Sequence, residues 1–386
     1  MSPADIGAIA ALPDSQDREA LLDTVHRFAG AAIAPVVQRP ESPGGPDTVD
    51  GILAELTELG VLTGAGEPGL GVWDLPTEPL SCRLSMDVIA QVAQVSPGIG
   101  YALHLRAVAG WLDRAASLTE TGTAVSFDRL GATGGGAVSR ALTDRPLSDD
   151  DIAVLENAWG ASTAGHPQLV VETDTWCHLW WPQWTVEDGW HLVRMPRADL
   201  RCTNLAHPHG LDELAYQSCH RIEAVDGDRD AVLGPEHVVE AWAVHGMGLL
   251  VIAASAARRA VSRARDYSLT RRQGGQLIGT HDAVAQLLGR SEQTLATTRA
   301  VLEHLAGLSA GVSRLHQVWR ARAQLHPLLT AAGSDALQVF GGVGYMRDVG
   351  AEKDIRDLNT VRRLGGSPAE LTLRCAAVDA FPGVAL

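Results

Sequence analysis

The central part of the sequence holds residue types that bind metals or act as nucleophiles. A set of seven cysteines and histidines in this part is the candidate ligand set: Cys177, His178, Cys202, His207, His209, Cys219 and His220. Zinc sites built from these residue types show paired short spacings between ligands. The seven residues lack that pairing, so the sequence predicts no metal site.

A second candidate for chemistry is the glycine-rich segment from Gly131 to Gly136. A phosphate-binding loop needs a preceding strand and a Gly-Lys-Ser/Thr ending. The segment has neither, so it is interpreted as a linker or turn at a domain boundary.

Aromatic residues are concentrated in the same central region, at Trp176, Trp180, Trp181, Trp184 and Trp190. Three of them, Trp180, Trp184 and Trp190, are separated by even numbers of residues, as side chains on one face of a strand would be. Tryptophans could line an aromatic substrate pocket, but in a β domain they more often fill the core between sheet and helices. Core packing is the favoured interpretation.

Composition excludes several classes of function. Among 386 residues, 31 Lys and Arg stand against 46 Asp and Glu, a formal charge of −15, which argues against a nucleic-acid partner. Five cysteines without regular spacing make no disulfide framework and favour a reducing compartment, so a cytoplasmic location is predicted. The longest apolar stretch, Gly246 to Ala257, is about 12 residues where a membrane span needs about 20, and no membrane segment is predicted.

Hydrophobic periodicity gives the order of elements. Apolar residues at three- and four-residue intervals predict a helix from Ser15 to Ala34, and further helical patterns follow at 49–59, 86–95 and 98–116. Strand-like runs occupy 168–172, 177–184, 190–195 and 214–225. Long helices are predicted at 238–269, 281–308 and 312–330, followed by two shorter ones.

Two segments resemble motifs of the acyl-CoA dehydrogenase family. Gln338-Val-Phe-Gly-Gly-Val-Gly-Tyr-Met-Arg-Asp, followed by Glu352-Lys353 and Ile355-Arg356-Asp357, is similar to the family's C-terminal signature. Tyr267-Ser-Leu-Thr-Arg-Arg-Gln-Gly-Gly-Gln-Leu-Ile resembles the family's Tyr-x-x-x-Arg-x-Gln-Phe-Gly-x-x-Ile, with Gly274 in place of the usual Phe. The resemblance covers most of the chain and is weakest from 145 to 215.

The resemblance implies an α+β fold, mainly α, in three parts. These are an N-terminal helical domain (1–130), a central small β domain (131–235) and a C-terminal four-helix bundle (236–386). It further implies a dimer or tetramer that binds FAD across a subunit boundary, with the flavin ring on the β domain of one chain and the pyrophosphate and adenosine on the C-terminal domain of its neighbour. The partner is either the same chain or a paralogue.

The implied chemistry is α,β-dehydrogenation of an acyl thioester carried by CoA or an acyl carrier. It requires a flavin, a base for the α-proton and N–H groups that polarise the thioester carbonyl. Residues at family positions for the pyrophosphate and adenosine are Arg271, Gln273, His281, Gln338, Gly341 and Gly342. The alternative is that the glycines form only a turn and Arg271 a surface ion pair.

The position of the family's catalytic Glu holds Gly365, which has no group to take a proton. Its N–H can still polarise a carbonyl. Some family members carry the base 22 residues before the tyrosine that aligns with Tyr267, a position that holds His245 here. His245 is therefore the candidate base, and a core or interface histidine is the alternative. Glu370 is interpreted as a solvated helix residue.

The side that contacts the flavin ring is altered. Leu142 and Thr143 match the start of the family's Leu-Thr-Glu-Pro-x-x-Gly-Ser-Asp, whose glycine is missing here, and Ser367 stands at the threonine after the catalytic Glu. These three residues are assigned to the cofactor. If Trp159-Gly-Ala-Ser corresponds to the family's Trp-Ile-Thr-Asn, Ala161 replaces a threonine that bonds the flavin.

Three hypotheses follow. The leading one is an FAD-dependent oxidoreductase acting on an acyl thioester with a relocated or absent base. The rival is a non-catalytic subunit that supplies the adenosine-side half-site to a paralogue, and the third is a divergent biosynthetic flavoenzyme. Four arginines on the first long C-terminal helix either form a basic patch for CoA or are solvated or interface charges: Arg258, Arg259, Arg263 and Arg265.

Overall fold

The structure is a computed structural model that describes residues 15–37, 44–63, 71–120, 122–129, 134–143, 145–160, 167–206, 210–222 and 231–379. Helices come first, two small sheets follow, and long helices end the described chain. This order confirms the predicted fold class, α+β and mainly α. The predicted domain boundaries stay predictions.

The N-terminal part consists of α1 (Ser15–Phe28), α2 (Ala34–Val36), α3 (Pro46–Glu58), α4 (Pro79–Val95) and α5 (Pro97–Ala115). Prolines begin the last three helices, where a missing N–H costs nothing. The predicted helix from Ser15 to Ala34 is not continuous, because Ala29–Ile33 form a π-helical turn. The wider turn leaves the side chains of Ala29 and Ile33 in the core.

The middle of the chain contains two helices that the sequence analysis did not predict. After β1 (Thr123–Val125) and β2 (Asp128–Arg129) come α6 (Gly135–Leu142) and α7 (Asp149–Trp159). The linker interpretation of 131–136 is therefore wrong at its end, since Gly135 and Gly136 begin α6, and residues 131–133 lie outside the described residues. A capping box between Ser148 and Asp151 begins α7.

The four predicted strands are present as β3 (Gln168–Glu172), β4 (His178–Thr185), β5 (Gly189–Pro196) and β7 (Ala215–Arg221). Strands β6 (Leu200–Asn204) and β8 (Ala231–Leu233) were not predicted. One sheet has the order β1-β4-β5-β8 and the other β2-β3-β7-β6. Strand β1 runs parallel to β4, and the other pairs are antiparallel.

The C-terminal part consists of α8 (Pro235–Ser268), a hairpin of β9 (Arg272–Gln273) and β10 (Gln276–Leu277), α9 (Asp282–Ala306), α10 (Val312–Phe340), α11 (Ala351–Val361) and α12 (Pro368–Asp379). Helix α10 extends ten residues beyond the predicted end at Thr330. It continues because Ala332, Ala336 and Val339 prolong its buried stripe.

Helix α8 lies at the centre of the fold and packs against α4, α5, α9, α10 and α11. It is long and apolar enough by composition to cross a membrane, but 94% of its most apolar window is buried inside the protein. A helix that is apolar on all sides must be covered on all sides. Here neighbouring helices and the β domain cover it, so α8 is a core helix.

Candidate functional site

His245 lies on α8 at the end of a chain of buried ring nitrogens that begins at Trp73 and passes through His104. Trp73 Nε1 is 2.8 Å from His104 Nδ1, and His104 Nε2 is 3.2 Å from His245 Nδ1. An indole N–H can only donate, so His104 accepts at Nδ1 and carries its proton on Nε2. His104 then donates to His245, whose own proton is placed on Nε2.

Both histidines are neutral. Burial lowers the pKa of His104 to about 3. Burial also lowers the pKa of His245 well below its ordinary value, and His104 and the Arg322 guanidinium add to this effect. His245 Nε2 has no hydrogen-bond partner among the described residues. His245 therefore presents a buried N–H rather than a lone pair, which argues against its predicted role as a base.

Gly365 lies between α11 and α12 in a left-handed conformation with φ +63°. A Cβ there would lie 3.0 Å from His245 Cδ2, from an Arg322 guanidinium nitrogen and from Leu249 Cδ1. Arg322 is 1% exposed and donates to the carbonyls of Leu364, Gly365 and Gly366. These contacts leave no room for the family's Glu at this position.

The amide of Gly365 already has an acceptor, the carboxylate of Asp128, at 2.6 Å from N to Oδ1. The resemblance implied that this amide binds the thioester carbonyl of the substrate. Burial raises the pKa of Asp128 to about 7, although the Gly365 N–H and Arg322 act in the opposite direction. The sequence analysis missed Asp128, which begins the two-residue strand β2 in a region where no strand was predicted.

Aromatic side chains fill the space between the β domain and the bundle. Trp159 of α7 and Trp190 of β5 contact Trp242 of α8, with ring centroids 5.7 and 4.9 Å away, and Trp242 contacts Trp319 of α10 at 6.2 Å. Arg374 of α12 lies over the ring of Trp319. All four tryptophans are buried, so they form part of the core. We call these four residues the tryptophan cluster.

The other tryptophans of the central region are also buried. Trp180 Nε1 donates to Asp113 at 2.8 Å, and Trp176 Nε1 donates to Gln217 at 3.2 Å. Trp180 and Trp184 belong to the main core, which the β domain shares with the helices, whereas Trp176 and Trp181 belong to a smaller apolar cluster within the β domain. The core-packing interpretation is therefore confirmed.

The residues assigned to the flavin ring are dispersed over helix ends. Leu142 ends α6, and Thr143 follows it, donating to the Ser139 carbonyl at 2.8 Å. Ser367 precedes α12 and accepts from the Glu370 N–H at 3.4 Å. The prediction that Glu370 is solvated is wrong, because its carboxylate is 15% exposed and pairs with Arg374 one helical turn away. Ala161 lies outside the described residues.

The residues assigned to the pyrophosphate and adenosine are brought together at one end of the bundle. Tyr267 near the end of α8 stacks on Phe340 at the end of α10, with centroids 4.8 Å apart. This contact places the Arg271 segment beside the turn at Gly341. We call this end the open end; its assigned residues are Arg271, Gln273, His281, Gln338, Gly341 and Gly342.

Side chains at the open end point away from the core. Arg271, Gln273, Gln338 and Gly342 are exposed, and a Cβ added at Gly341 or Gly342 would meet nothing within 4 Å. His281 bridges the hairpin, with Nδ1 3.2 Å from Gln276 Nε2 and Nε2 3.4 Å from the Gln273 carbonyl. No hydrogen bond or ion pair of the Arg271 side chain is found within the described part of the chain.

The arginines of α8 mostly have internal partners. Arg259 and Arg263 pair with Asp354 on α11, and Arg265 pairs with Glu292 on α9. Only Arg258 is exposed without such a contact in the described structure. Ion pairing therefore explains more of these charges than a CoA-binding patch does.

The described part of the chain contains no group of three or more Cys, His, Asp or Glu side chains that could hold a metal ion. His207 and His209 lie outside the described residues.

The open end and the centre of the fold differ in whether their residues leave room for a part of FAD. At the open end, an exposed guanidinium, two amide side chains and side-chain-free glycines suit a pyrophosphate and a nucleoside. At the tryptophan cluster, the rings of Trp159, Trp190 and Trp242 are already in direct contact, so a flavin ring, which would need about 3.5 Å on each face, does not fit between them. A cavity of about 750 Å³ lies beside the cluster and is lined by Leu142, Trp190 and the first residues of α8, and a second of about 400 Å³ lies between α3 and α5. Neither cavity is lined by Asp128, His245 or Gly365.

A helical domain, two small sheets and a bundle of long helices define the fold class that the resemblance implied. Residues 237–377 match the family profile described as "Acyl-CoA dehydrogenase, C-terminal domain". The C-terminal part of the chain thus matches the acyl-CoA dehydrogenase family, and the resemblance of its motifs to that family is confirmed.

Curated relatives match over part of the chain. Mitochondrial isobutyryl-CoA dehydrogenase of Dictyostelium discoideum is 30% identical over 112 residues, 28% of this chain and 27% of the relative. A probable acyl-CoA dehydrogenase of Mycobacterium tuberculosis is 30% identical over 148 residues, 35% of this chain and 23% of the relative. The matches thus span about a quarter of the length of these relatives.

Solved structures match over nearly the whole chain. Butyryl-CoA dehydrogenase of Megasphaera elsdenii has a TM-score of 0.70 at 14% identity, covering 95% of this chain and 99% of the other. The prolyl acyl carrier protein oxidase AnaB has a TM-score of 0.71 at 14% identity, with coverages of 95% and 99%. At such identities the likeness concerns the fold.

Proposed function

We propose that the chain is a non-catalytic subunit of an FAD-dependent acyl-thioester oxidoreductase. In this proposal its open end binds the pyrophosphate and adenosine of an FAD whose flavin ring is held by a paralogous catalytic chain. The observation that carries the proposal is the contrast between the exposed open end and the filled centre, where Asp128 occupies the Gly365 amide.

The open end supplies the groups that a dinucleotide needs. The planar guanidinium of Arg271 can donate two parallel hydrogen bonds to pyrophosphate oxygens. Gln273 and Gln338 offer amides, and Gly341 and Gly342 let backbone approach the ligand. His281 contacts Gln276 and the Gln273 carbonyl in the β9–β10 hairpin, and so it positions Gln273 for the ligand.

The filled centre explains why this chain needs a catalytic partner. When bound, FAD accepts a hydride from the acyl substrate, and a base takes the neighbouring proton. Here the base position is Gly365, the carbonyl-binding amide is occupied and His245 presents an N–H. Acyl-CoA or an acyl carrier thioester would therefore react on the partner. The similar proteins include an acyl-CoA dehydrogenase and an acyl carrier protein oxidase, which supports this substrate class and leaves the carrier open.

The absorption spectrum of the chain purified alone is the first test. We expect a colourless protein that does not take up added FAD. Co-expression with an acyl-CoA dehydrogenase paralogue that carries the catalytic Glu is expected to give a yellow, active complex. A yellow homo-oligomer that oxidises acyl thioesters would overturn the proposal.

The contribution of the open end is tested in that complex. Arg271→Ala is expected to lower FAD retention at least tenfold, since a charge-assisted contact to phosphate contributes about 1.5 to 3 kcal/mol. Arg258→Ala is the matched control, an exposed arginine on α8. Equal FAD retention in the two variants would show that the open end does not bind FAD.

The second candidate is catalysis by this chain itself, and the Asp128 carboxylate beside the Gly365 amide favours it. If the centre opens, Asp128 would take the α-proton, while Gly365 N–H and His245 Nε2–H donate to the thioester carbonyl. Asp128→Asn would then abolish turnover and leave FAD bound, whereas Glu370→Gln would retain activity. His245→Ala separates the two roles of the histidine, because loss of a donor lowers turnover without removing the pH-rate limb near pH 7 that Asp128 would produce.

A further inference from the structure

Two cysteines that are remote in sequence lie directly opposite each other in the second sheet. Cys202 of β6 pairs with Cys219 of the antiparallel strand β7. Both cysteines are free thiols in the structure. Neither their spacing nor the odd number of cysteines indicated this pairing, because the register of β6 on β7 decides it.

The backbone hydrogen bonds define the kind of pair. Leu205 N donates to the Tyr216 carbonyl at 2.8 Å, and Ile222 N donates to the Asp199 carbonyl at 3.1 Å. Hydrogen-bonded and non-hydrogen-bonded pairs alternate along an antiparallel ladder. Cys202 is three residues from Leu205 and three residues from Asp199, each of which belongs to a hydrogen-bonded pair. Because three is odd, Cys202 and Cys219 form a non-hydrogen-bonded pair.

Side chains approach most closely in such a pair. Its Cα atoms are about 4.5 Å apart, and a disulfide requires Cα atoms about 4.4 to 6.8 Å apart. Both side chains point to the same face of the sheet, where Cys219 belongs to an apolar cluster and Cys202 packs against it. The strands therefore need little movement for the two sulfurs to bond.

The two thiols differ in reactivity. Cys219 is 2% exposed, whereas Cys202 is half-buried on an edge strand that solvent can reach. A hydrogen bond from the Cys219 thiol holds the pKa of Cys202 below its ordinary value, and nearby Arg197 acts in the same direction. The same contact, together with burial, raises the pKa of Cys219. Cys202 is thus the attacking thiol and Cys219 the resolving one.

We propose that Cys202 and Cys219 form a reversible thiol-oxidation site that reacts with low-molecular-weight disulfides of the glutathione class. The Cys202 thiolate attacks one sulfur of the disulfide, forms a mixed disulfide and releases one thiolate. Cys219 loses its proton to water and attacks Cys202 sulfur, releasing the second thiolate. The two protein thiols give up two electrons, which reduce one small disulfide to two thiols.

The product joins the edge strand β6 covalently to β7. The site lies in the β domain and includes no residue of the open end, so it is independent of the function proposed above. A disulfide closed at the short end of the allowed Cα range is readily reduced. The site would therefore respond to the balance of oxidised and reduced glutathione.

The test uses the full chain with Cys177→Ser, because Cys177 is the exposed thiol that would compete. After incubation with oxidised glutathione, intact mass and peptide mapping are expected to show loss of two hydrogens and a Cys202–Cys219 link that dithiothreitol reverses. A protein that retains both thiols, or that links other cysteines, would overturn the proposal.

Two further variants test the order of attack. Cys219→Ser in the same background is expected to accumulate one glutathione on Cys202, since the resolving thiol is absent. Cys202→Ser is expected to gain no glutathione, because Cys219 is buried. Circular dichroism establishes that each variant is folded. A glutathione adduct on Cys219 would contradict the assignment of the attacking thiol.

Discussion

The open end and the filled centre of this protein use polar and aromatic side chains in opposite ways. At the open end, Arg271, Gln273 and Gln338 are exposed, and the glycines face open space. In the centre, Asp128, Arg322 and the histidine pair are bonded to one another or to backbone, and the tryptophan cluster excludes solvent. A site that stays available to a ligand differs from one that has become core because the core satisfies most of its polar groups internally, and in this centre His245 Nε2 is an exception among the described residues.

The largest expected effect comes from removing the middle of the tryptophan cluster. Trp242→Ala should lower the free energy of unfolding by about 3 to 5 kcal/mol, since it leaves a large cavity in a packed core. Denaturant unfolding measures this. Leu373→Ala, at a side chain 60% exposed, is the control and should change stability by less than about 0.5 kcal/mol. A stable Trp242→Ala variant would mean that the cluster lines a pocket.

Substituting one glycine in each region compares how tightly the two regions are packed, since Gly365 in the centre and Gly341 at the open end have nearly equal φ. Gly365→Ala should cost about 2 to 4 kcal/mol, from left-handed strain and from contacts with His245, Arg322 and Leu249. Gly341→Ala, with φ +61°, ψ −147° and open space around it, should cost about 1 to 3 kcal/mol from backbone strain alone. Equal losses in thermal or denaturant unfolding would show that the centre is not tightly packed around Gly365.

Acid should lower the free energy of unfolding through the buried histidines of the centre. The lowered pKa of His104 and His245 means that the unfolded chain binds protons below about pH 6.5 that the folded chain does not. Stability is then present above that pH and falls as the pH decreases. His104→Gln should flatten this dependence between pH 7 and 5, measured by denaturant unfolding, and the exposed His304→Gln serves as the control. An unchanged slope in His104→Gln would show that the buried pair does not govern acid stability.

The smallest effect on folding is expected at the open end. Arg271→Ala should alter the free energy of unfolding by less than about 0.5 kcal/mol, because its side chain is exposed. The same substitution is expected to reduce FAD retention in a complex with a catalytic paralogue. A large loss of stability in thermal unfolding would instead assign Arg271 to the core.

Much of the fold was predictable from the sequence. The long helices α8, α9 and α10 follow from periodic apolar residues, and β3, β4, β5 and β7 follow from runs of β-branched and aromatic residues. Helices α6 and α7 were missed, because the glycines before α6 masked its start and α7 begins with three aspartates. Tertiary contacts with β4 and α12 stabilise them.

The candidate site was predictable at one end only. Arg271, Gln273, Gln338 and Gly341 belong to contiguous motifs, so their spacing carries the information. Asp128 and Gly365 are 237 residues apart, and only the packing of the β domain on the bundle places a carboxylate on that amide. The pairing of Cys202 with Cys219 depends in the same way on strand register.

The sequence by itself determined the order of helices and strands, the acidic charge, the motifs of the open end and the loss of a carboxylate at Gly365. The tertiary structure decided that His245 presents an N–H, that Asp128 occupies the Gly365 amide and that four tryptophans pack against one another between the β domain and the bundle. The physical reason is that local pattern and propensity act within one element. Proton position, burial and side-chain contact are set by groups from elements far apart in the chain.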